Sequence, residues 1–295
     1  MSKIKIYKED YIPTPRQQLW IDFSYHHFAL MALWFIGILS LIMIAGVLLA
    51  PHGAEQQNNQ AILVPPLWND FGRAEYFLGT DDLGRDIYSR LILGSKYTFG
   101  VAVIIVLFSL GLGTLIGCMV ASTKGIKSNI LNHFLETFLA IPSLLMAILI
   151  VSMIGASFWS SCLAVGLTMV LQYVRVIYNT VRDEMHKEYI TAAKLDGARQ
   201  WQIIWYVIMP NLIDILIVQT TFCLSTAILD IAALGFLGLG AQPPSPEWGS
   251  MVAQGMDNLF LAPWTWTLPG IMILTVVLAI NLIGDALREA LKLKG

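Results

Sequence analysis

Charged residues vanish from long stretches of this chain. Residues 28–50 run without a charge until Pro51-His52-Gly53 ends the stretch. Similar runs cover residues 97–120, closed by Ser122-Thr123-Lys124-Gly125, and residues 134–154, with Glu136 near the start and Pro142 inside. Residues 160–179 carry Arg175 near their end, residues 212–235 carry Asp214 and Asp230 near their two ends, and residues 263–283 form the last run. About 20 mostly apolar residues in a helix cross the hydrocarbon of a bilayer. Lipid offers backbone groups no hydrogen-bond partner, so each run must be helical. The pattern predicts an all-α polytopic membrane protein with six transmembrane helices. The first run exceeds the roughly 7–15 apolar residues of a signal peptide, so it is read as a retained span.

Three segments depart from this rhythm. Gly79-Thr80-Asp81-Asp82-Leu83-Gly84-Arg85-Asp86 places capping residues before Ile87, Leu91 and Ile92, which predicts a short capped helix lying on the membrane surface before span two. Residues 238–262 hold Pro243, Pro244, Pro246 and Trp248. They are too polar to span and too aromatic for an ordinary loop, and a hairpin dipping toward the interface is predicted. Residues 181–210 link spans four and five. Residues 181–196 suit a helix, with Asp183 and Glu184 in its first turn and Gly197 as a left-handed cap. Trp201, Ile204, Trp205 and Ile208 then recur at i, i+3, i+4 and i+7, a stripe that should pack on the protein or the lipid interface, until Pro210 breaks the run.

Charge sets the orientation. Six spans put both termini on one side. With the N-terminus inside, the cytoplasmic segments hold Lys3, Lys5, Lys8, Arg16, Lys124, Lys127, Arg182, Lys187, Lys194, Arg199, Arg288, Lys292 and Lys294. The other side holds only Arg73, Arg85, Arg90 and Lys96, in a loop that also carries six acids. The positive-inside rule then makes both termini and the 181–210 loop cytoplasmic. The resulting plan is a cytoplasmic segment 1–27, a first span 28–50, a periplasmic loop 51–96 with its surface helix, a core 97–285 and a cytoplasmic tail 286–295.

Composition agrees. The chain has 295 residues, of which 56% are hydrophobic and 13% charged, against about 25% charged in soluble domains. Mean hydropathy is +0.66. A net charge of −2 provides no basic field for nucleic acid. Cys118, Cys162 and Cys223 lie apart within apolar runs and read as small apolar side chains. No G-x-x-x-x-G-K-[ST] occurs, so the chain has no P-loop for ATP. Gly111, Gly113 and Gly117 read as a helix-packing face rather than a nucleotide loop. Ionisable groups inside spans are costly and default to functional suspects. Glu136, Arg175, Asp214 and Asp230 qualify. The first three lie within a turn or two of a predicted end, where they could snorkel. Asp230, near the outer end of span five, reads as a site for a cationic ligand or a pore residue or, more readily, a packing hydrogen bond, and Gln172 and Gln219 are weaker pore candidates. His26 and His27 read as interfacial anchors. On physical grounds alone, the helix–turn–helix around Gly197 is either a knob for a soluble partner or a plain amphipathic loop.

Glu188-Tyr189-Ile190-Thr191-Ala192-Ala193, then Gly197, then Met209-Pro210 resembles the EAA loop of ABC importer permeases. That pattern reads EAA, three residues, Gly, nine residues, then I-x-L-P. The spacing is kept, with Thr191 at the pattern's Glu and Val207 and Met209 at its Ile and Leu. The 78–86 and 241–249 segments resemble the second permease of dipeptide/oligopeptide transporters. Residues 139–145 and 227–240 are most similar to its Sap-type branch. The resemblance implies a type I ABC importer permease fold (MetI-like) with periplasmic scoop segments, in a bacterial inner membrane. It implies no catalysis and no cofactor on this chain, with ATP and Mg bound by partner subunits. The implied partners are a second homologous permease in a heterodimer, two ATPase subunits, a periplasmic substrate-binding protein and the lipid bilayer. Peptides (including antimicrobial ones), haem or the polyamine putrescine are the implied solutes. ATPase coupling falls to Glu188, Tyr189, Thr191, Ala192, Ala193, Asp196, Gly197 and Pro210. Gln172, Gln219 and Asp230 are candidates for the translocation path, and Glu247 and Trp248 for a periplasmic contact. The competing expectation is a stand-alone channel or ion-coupled carrier, which would need midplane charges or broken helices.

Overall fold

The computed structural model describes residues 14–123 and 126–292. Lys3, Lys5, Lys8, Lys124 and Lys294, which bear part of the charge argument, lie outside them. The described residues are helical, joined by turns. A short helix α1 (Pro15–Ser24) precedes α2 (His27–Leu49), the first span. An extended, turn-rich segment leads to α3 (Ile87–Ser95), a π turn (Lys96–Gly100) and α4 (Val101–Ala121). Then come α5 (Ile126–Leu139), α6 (Ser143–Ile154) and α7 (Phe158–Glu184). α8 (Glu188–Leu195), a turn α9 (Gln200–Gln202) and a π segment (Ile203–Ile208) lead into α10 (Met209–Phe236). α11 (Trp248–Gly255) and α12 (Trp264–Lys292) complete the chain. Five helical stretches are long and apolar enough to cross a bilayer, and the bent pair α5–α6 makes a sixth span.

Four elements differ from the sequence reading, each for a backbone reason. The predicted surface helix α3 instead continues into α4 as one stretch, Ile87–Ala121. Ile87, Ser89, Arg90, Leu91, Gly94 and Ser95 are buried, so most of its surface faces protein rather than an interface. Asp86 caps it as expected, its carboxylate accepting from the Ser89 amide at 3.1 Å. The third span breaks between Leu139 and Ser143, and the two halves meet at 89°. Proline at 142 supplies no N–H and disfavours helix in the residue before it. Pro210, by contrast, does not break its helix. The stretch Gln200–Phe236 is continuous, because the preceding turns open to π register and the Met209 N–H reaches the Ile204 carbonyl. Finally, the helix expected over 181–196 is two: α7 runs on through Glu184, a turn follows, and α8 begins at Glu188. Asp183 and Glu184 therefore sit at a helix end, not in a first turn.

The frame is the pairing of α4 with α7. A Cβ on Gly113 would lie 2.5 Å from the Tyr173 Cβ, and one on Gly117 would lie 2.7 Å from the Ile177 Cβ. These two glycines let the backbones touch, as the packing reading expected. Gly111 faces open space and takes no part. Around this contact Phe99, Val106, Met169, Tyr173 and Ile228 form the main core. α2 lies at its edge, contributing Leu39 to the core while about half of its residues are exposed. α1 folds against α2 and α12 through Phe23, Ala29 and Ala286, so the first and last described helices meet at one end of the bundle. Gly113→Leu or Gly117→Leu is expected to destabilise the detergent-purified chain by about 1–3 kcal/mol through overpacking. Gly111→Leu should leave its thermal midpoint unchanged.

Candidate functional site

Two places in the fold bring the suspected functional residues together, and α10 connects them. The first is the elbow formed by α8 and the turn after it, on the end where the first and last described helices meet. Its C-terminus closes as a Schellman motif: Gly197 N–H bonds Lys194 O at 3.1 Å and Ala198 N–H bonds Ala193 O at 3.1 Å. Gly197 takes φ +84°, and nothing lies within 4 Å of where its side chain would be. The bend thus needs glycine for conformation, not for space.

One side chain roots α8. Ile190 is fully buried against Cys118, Ile177, Val181, Ile204, Ile208 and Leu212. Glu188, Tyr189, Thr191, Ala192, Lys194, Leu195, Asp196 and Gly197 are exposed, and Ala193 is half-buried. Leu195, an apolar side chain at 84% exposure, stands in the open. Tyr189 also latches the elbow from outside: its hydroxyl donates to the Glu184 carboxylate and accepts from Asn211 Nδ2 at 3.4 Å. That joins the end of α7 to the start of α10, next to Pro210. Gln200 Nε2 donates to Ser122 O at 3.0 Å, tying the elbow to α4. The tryptophan–isoleucine stripe splits: Ile204 and Ile208 are buried while Trp201 and Trp205 are exposed, because the π segment shifts the helical register beneath them. The sequence reading missed Ile190 as the root and Glu184 as the latch. A lone apolar residue at the inward position of an otherwise polar, small-residue helix was the available signal for Ile190.

The second place is a cavity of about 390 Å³ beside the break between α5 and α6. Pro142, Ser143, Gln172, Arg175, Gln219 and Phe222 are among its walls. Gln172 and Gln219 meet there through one thiol: Gln219 Nε2 donates to Cys223 Sγ at 3.2 Å, and Cys223 donates to Gln172 Oε1 at 3.6 Å. Asp230 does not line the cavity. It is buried at 5% exposure, hydrogen-bonded to the Ser143 side chain at the cavity's edge, and its Oδ2 has no partner among the described residues. A wider groove of about 620 Å³ between α10 and α12 adjoins the cavity. Asp214, Asp285, Arg288 and Asn281 line it, and Gln219 and Phe222 belong to both spaces.

Glu247 and Trp248 require a correction. At 1% and 0% exposure their side chains are enclosed by this chain and present nothing to a partner. Glu247 caps α11, accepting from Gly249 N–H at 2.8 Å, Ser250 N–H at 2.7 Å and the Thr98 hydroxyl at 3.0 Å. Trp248 Nε1 donates to Leu91 O at 3.0 Å. Together they staple the 238–262 segment to the start of span two. Two buried groups in an apolar setting look like a contact in sequence because both are costly to place; here the cost is met within the chain.

Comparison with known proteins fits this geometry. Residues 113–294 match the family model described as the binding-protein-dependent transport system inner membrane component. Residues 14–66 match the N-terminal TM domain of oligopeptide transport permease C. The chain belongs to this permease family. The permease is 44% identical over 286 residues to the peptide transport system permease protein SapC of Escherichia coli O6:H1, covering 97% of each chain. It is 41% identical to the dipeptide transport system permease protein DppC of Haemophilus influenzae, covering 94% of each. Its fold matches a chain of the inward-facing MetNI methionine ABC transporter with a TM-score of 0.55 at 18% identity, over 69% of this chain and 97% of that one. The permease is therefore a multi-pass inner-membrane component with the fold expected from its motifs.

Enclosure pushes the Glu247 carboxyl up to about 7, against the Gly249, Ser250 and Thr98 donors that favour its charged form. A carboxyl raised on folding contributes stability that is present in full below its unfolded value, about 4.3, and is lost as pH rises through about 7. The thermal midpoint of the purified permease should thus fall between about pH 5 and pH 8, and Glu247→Gln should flatten that fall. Equal slopes in both chains would refute the assignment.

Proposed function

We propose that this permease is the membrane subunit of an ATP-driven transporter for peptides or related small cationic solutes. It works with a second homologous permease, two ATPase subunits that bind ATP and Mg, and a soluble substrate-binding protein, with its termini and elbow on the cytoplasmic side. The observation that carries this reading is α8: a helix rooted by one buried isoleucine, with Thr191, Ala192, Leu195 and Asp196 all turned outward. Small and apolar groups exposed on a helix joined to three spans suit a cleft on a rigid partner. In this reading the ATPases move α8, and α7 and α10 carry the motion to the cavity. Gln219 lies eight residues beyond Asn211, which bonds Tyr189, so about 12 Å of helix separates latch from cavity. Gln172 and Gln219 then line the path, and Asp230 flanks it. The names of the relatives support peptides as the solute class.

The broken third span is a feature a self-sufficient carrier would also need, and the two readings separate by experiment. Solubilised under mild conditions, the permease should bring down a soluble ATPase, and solute should move only with ATP. Gly197→Asp places a charged side chain at φ +84°, where a residue other than glycine is strained by about 1–3 kcal/mol. It is expected to insert normally yet lose ATP-driven transport. Transport by Gly197→Asp at the wild-type rate, or transport by the purified single chain without nucleotide, overturns the proposal.

A further inference from the structure

Among the described residues, Arg175 makes no hydrogen bond or ion pair within the chain. It stands in α7 nine residues before Glu184, about 14 Å along the helix. A cation in a spanning helix demands a counter-charge or a route to water. Arg175 is exposed, and its alternative to the lipid surface is the cavity at the broken span, which it lines. Three residues earlier on the same helix face, Gln172 lines that cavity too. Its Oε1 is taken by Cys223, and its amide nitrogen has no partner among the described residues. The cavity walls hold one positive side chain and no acidic one; Ser143, Thr168 and the two glutamines are the other polar side chains, and the remaining walls, Phe138, Met146, Leu171 and Phe222 among them, are apolar. A planar five-donor fork beside a free amide, in apolar surroundings, suits one singly charged planar anion.

We infer that Arg175 binds a carboxylate in this cavity, and that the carboxylate is that of the transported solute. This rests on the transport reading above and narrows it to solutes carrying a free carboxyl group. Asp230, buried behind Ser143 with one oxygen unpaired, stands on the side of the cavity away from Arg175 along the helices. A zwitterion entering there meets a cation toward the elbow end and a carboxylate toward the other. The same guanidinium chemistry accepts a carboxylate of the second permease, and the test separates the two sources.

The test uses the assembled transporter, with the partner permease and ATPases, nucleotide-free and without the soluble binding protein. The probes are trialanine and trialanine amide at neutral pH, which share an ammonium and differ in the carboxylate. Trialanine should raise the thermal midpoint of the wild-type complex several-fold more than the amide does. Arg175→Gln should reduce that ratio to about one, and Arg175→Lys, which keeps the charge but not the fork, should restore part of it. Equal shifts for the two probes in the wild type overturn the inference, as does a preference that survives Arg175→Gln. Loss of the partner permease from the Arg175→Gln complex also overturns it, because the carboxylate then belongs to that subunit. Whether ATPases accompany the wild-type chain is read on the same preparation, so failure of the transport reading is seen separately.

Discussion

Everything in this molecule depends on how backbone N–H and C=O groups are satisfied where lipid cannot help. A continuous helix meets the demand by itself, and most of the chain takes that course. Each departure has at least one side against protein. The π turn at Lys96–Gly100 lies where Thr98 is fully buried and its hydroxyl serves both Glu247 and the Trp248 amide. The π segment before Pro210 opens the register, and the Asn211 side chain covers the Val207 carbonyl at 3.3 Å. The break at Pro142 leaves Ala140, Ile141 and Pro142 exposed, but its inner side faces α7 and α10 across the cavity, and the Ser143 side chain there bonds Asp230. Irregular backbone needs partners that lipid does not supply, so it is found where protein lies alongside.

The two candidate sites use opposite logics. At the elbow, polar and small groups are displayed and the single apolar anchor is hidden. At the cavity, two amides and a thiol are drawn inward, away from lipid, with the exposed Arg175 at its wall. α10 joins them physically, since its first turn holds the Tyr189 latch and its third holds Gln219. The staple formed by Glu247 and Trp248 does a third job, fixing the start of span two to the 238–262 segment. Gly235 makes room for it: a Cβ there would lie 2.0 Å from Glu247 Oε2.

Much of this was legible beforehand. Spans follow from run length, and the Schellman turn follows from the fixed spacing around Gly197. The role of Gly113 and Gly117 follows from their separation by one helical turn. What escaped had one of two causes. Register changes such as the π turns leave no trace in hydropathy, so the continuity of α3 with α4 and the passage through Pro210 could not be read. Inward-facing polar residues were also ambiguous: Glu247 and Trp248 have the chemistry of a binding surface, and only burial shows that their partners are Thr98, Leu91 and the backbone of α11. Gln172 and Gln219, 47 positions apart, were suspected one by one. Their meeting through Cys223 needed the third dimension.

Rooting α8 mainly in Ile190, with only Ala193 partly buried beside it, has a mechanical corollary. A rod held at several depths can only be dragged, whereas one seated on a single greasy ball can swivel while its seat stays filled. A push delivered to Leu195 would thus arrive at the bundle as torque about residue 190, with the Tyr189 hydroxyl as the stop that limits the swing.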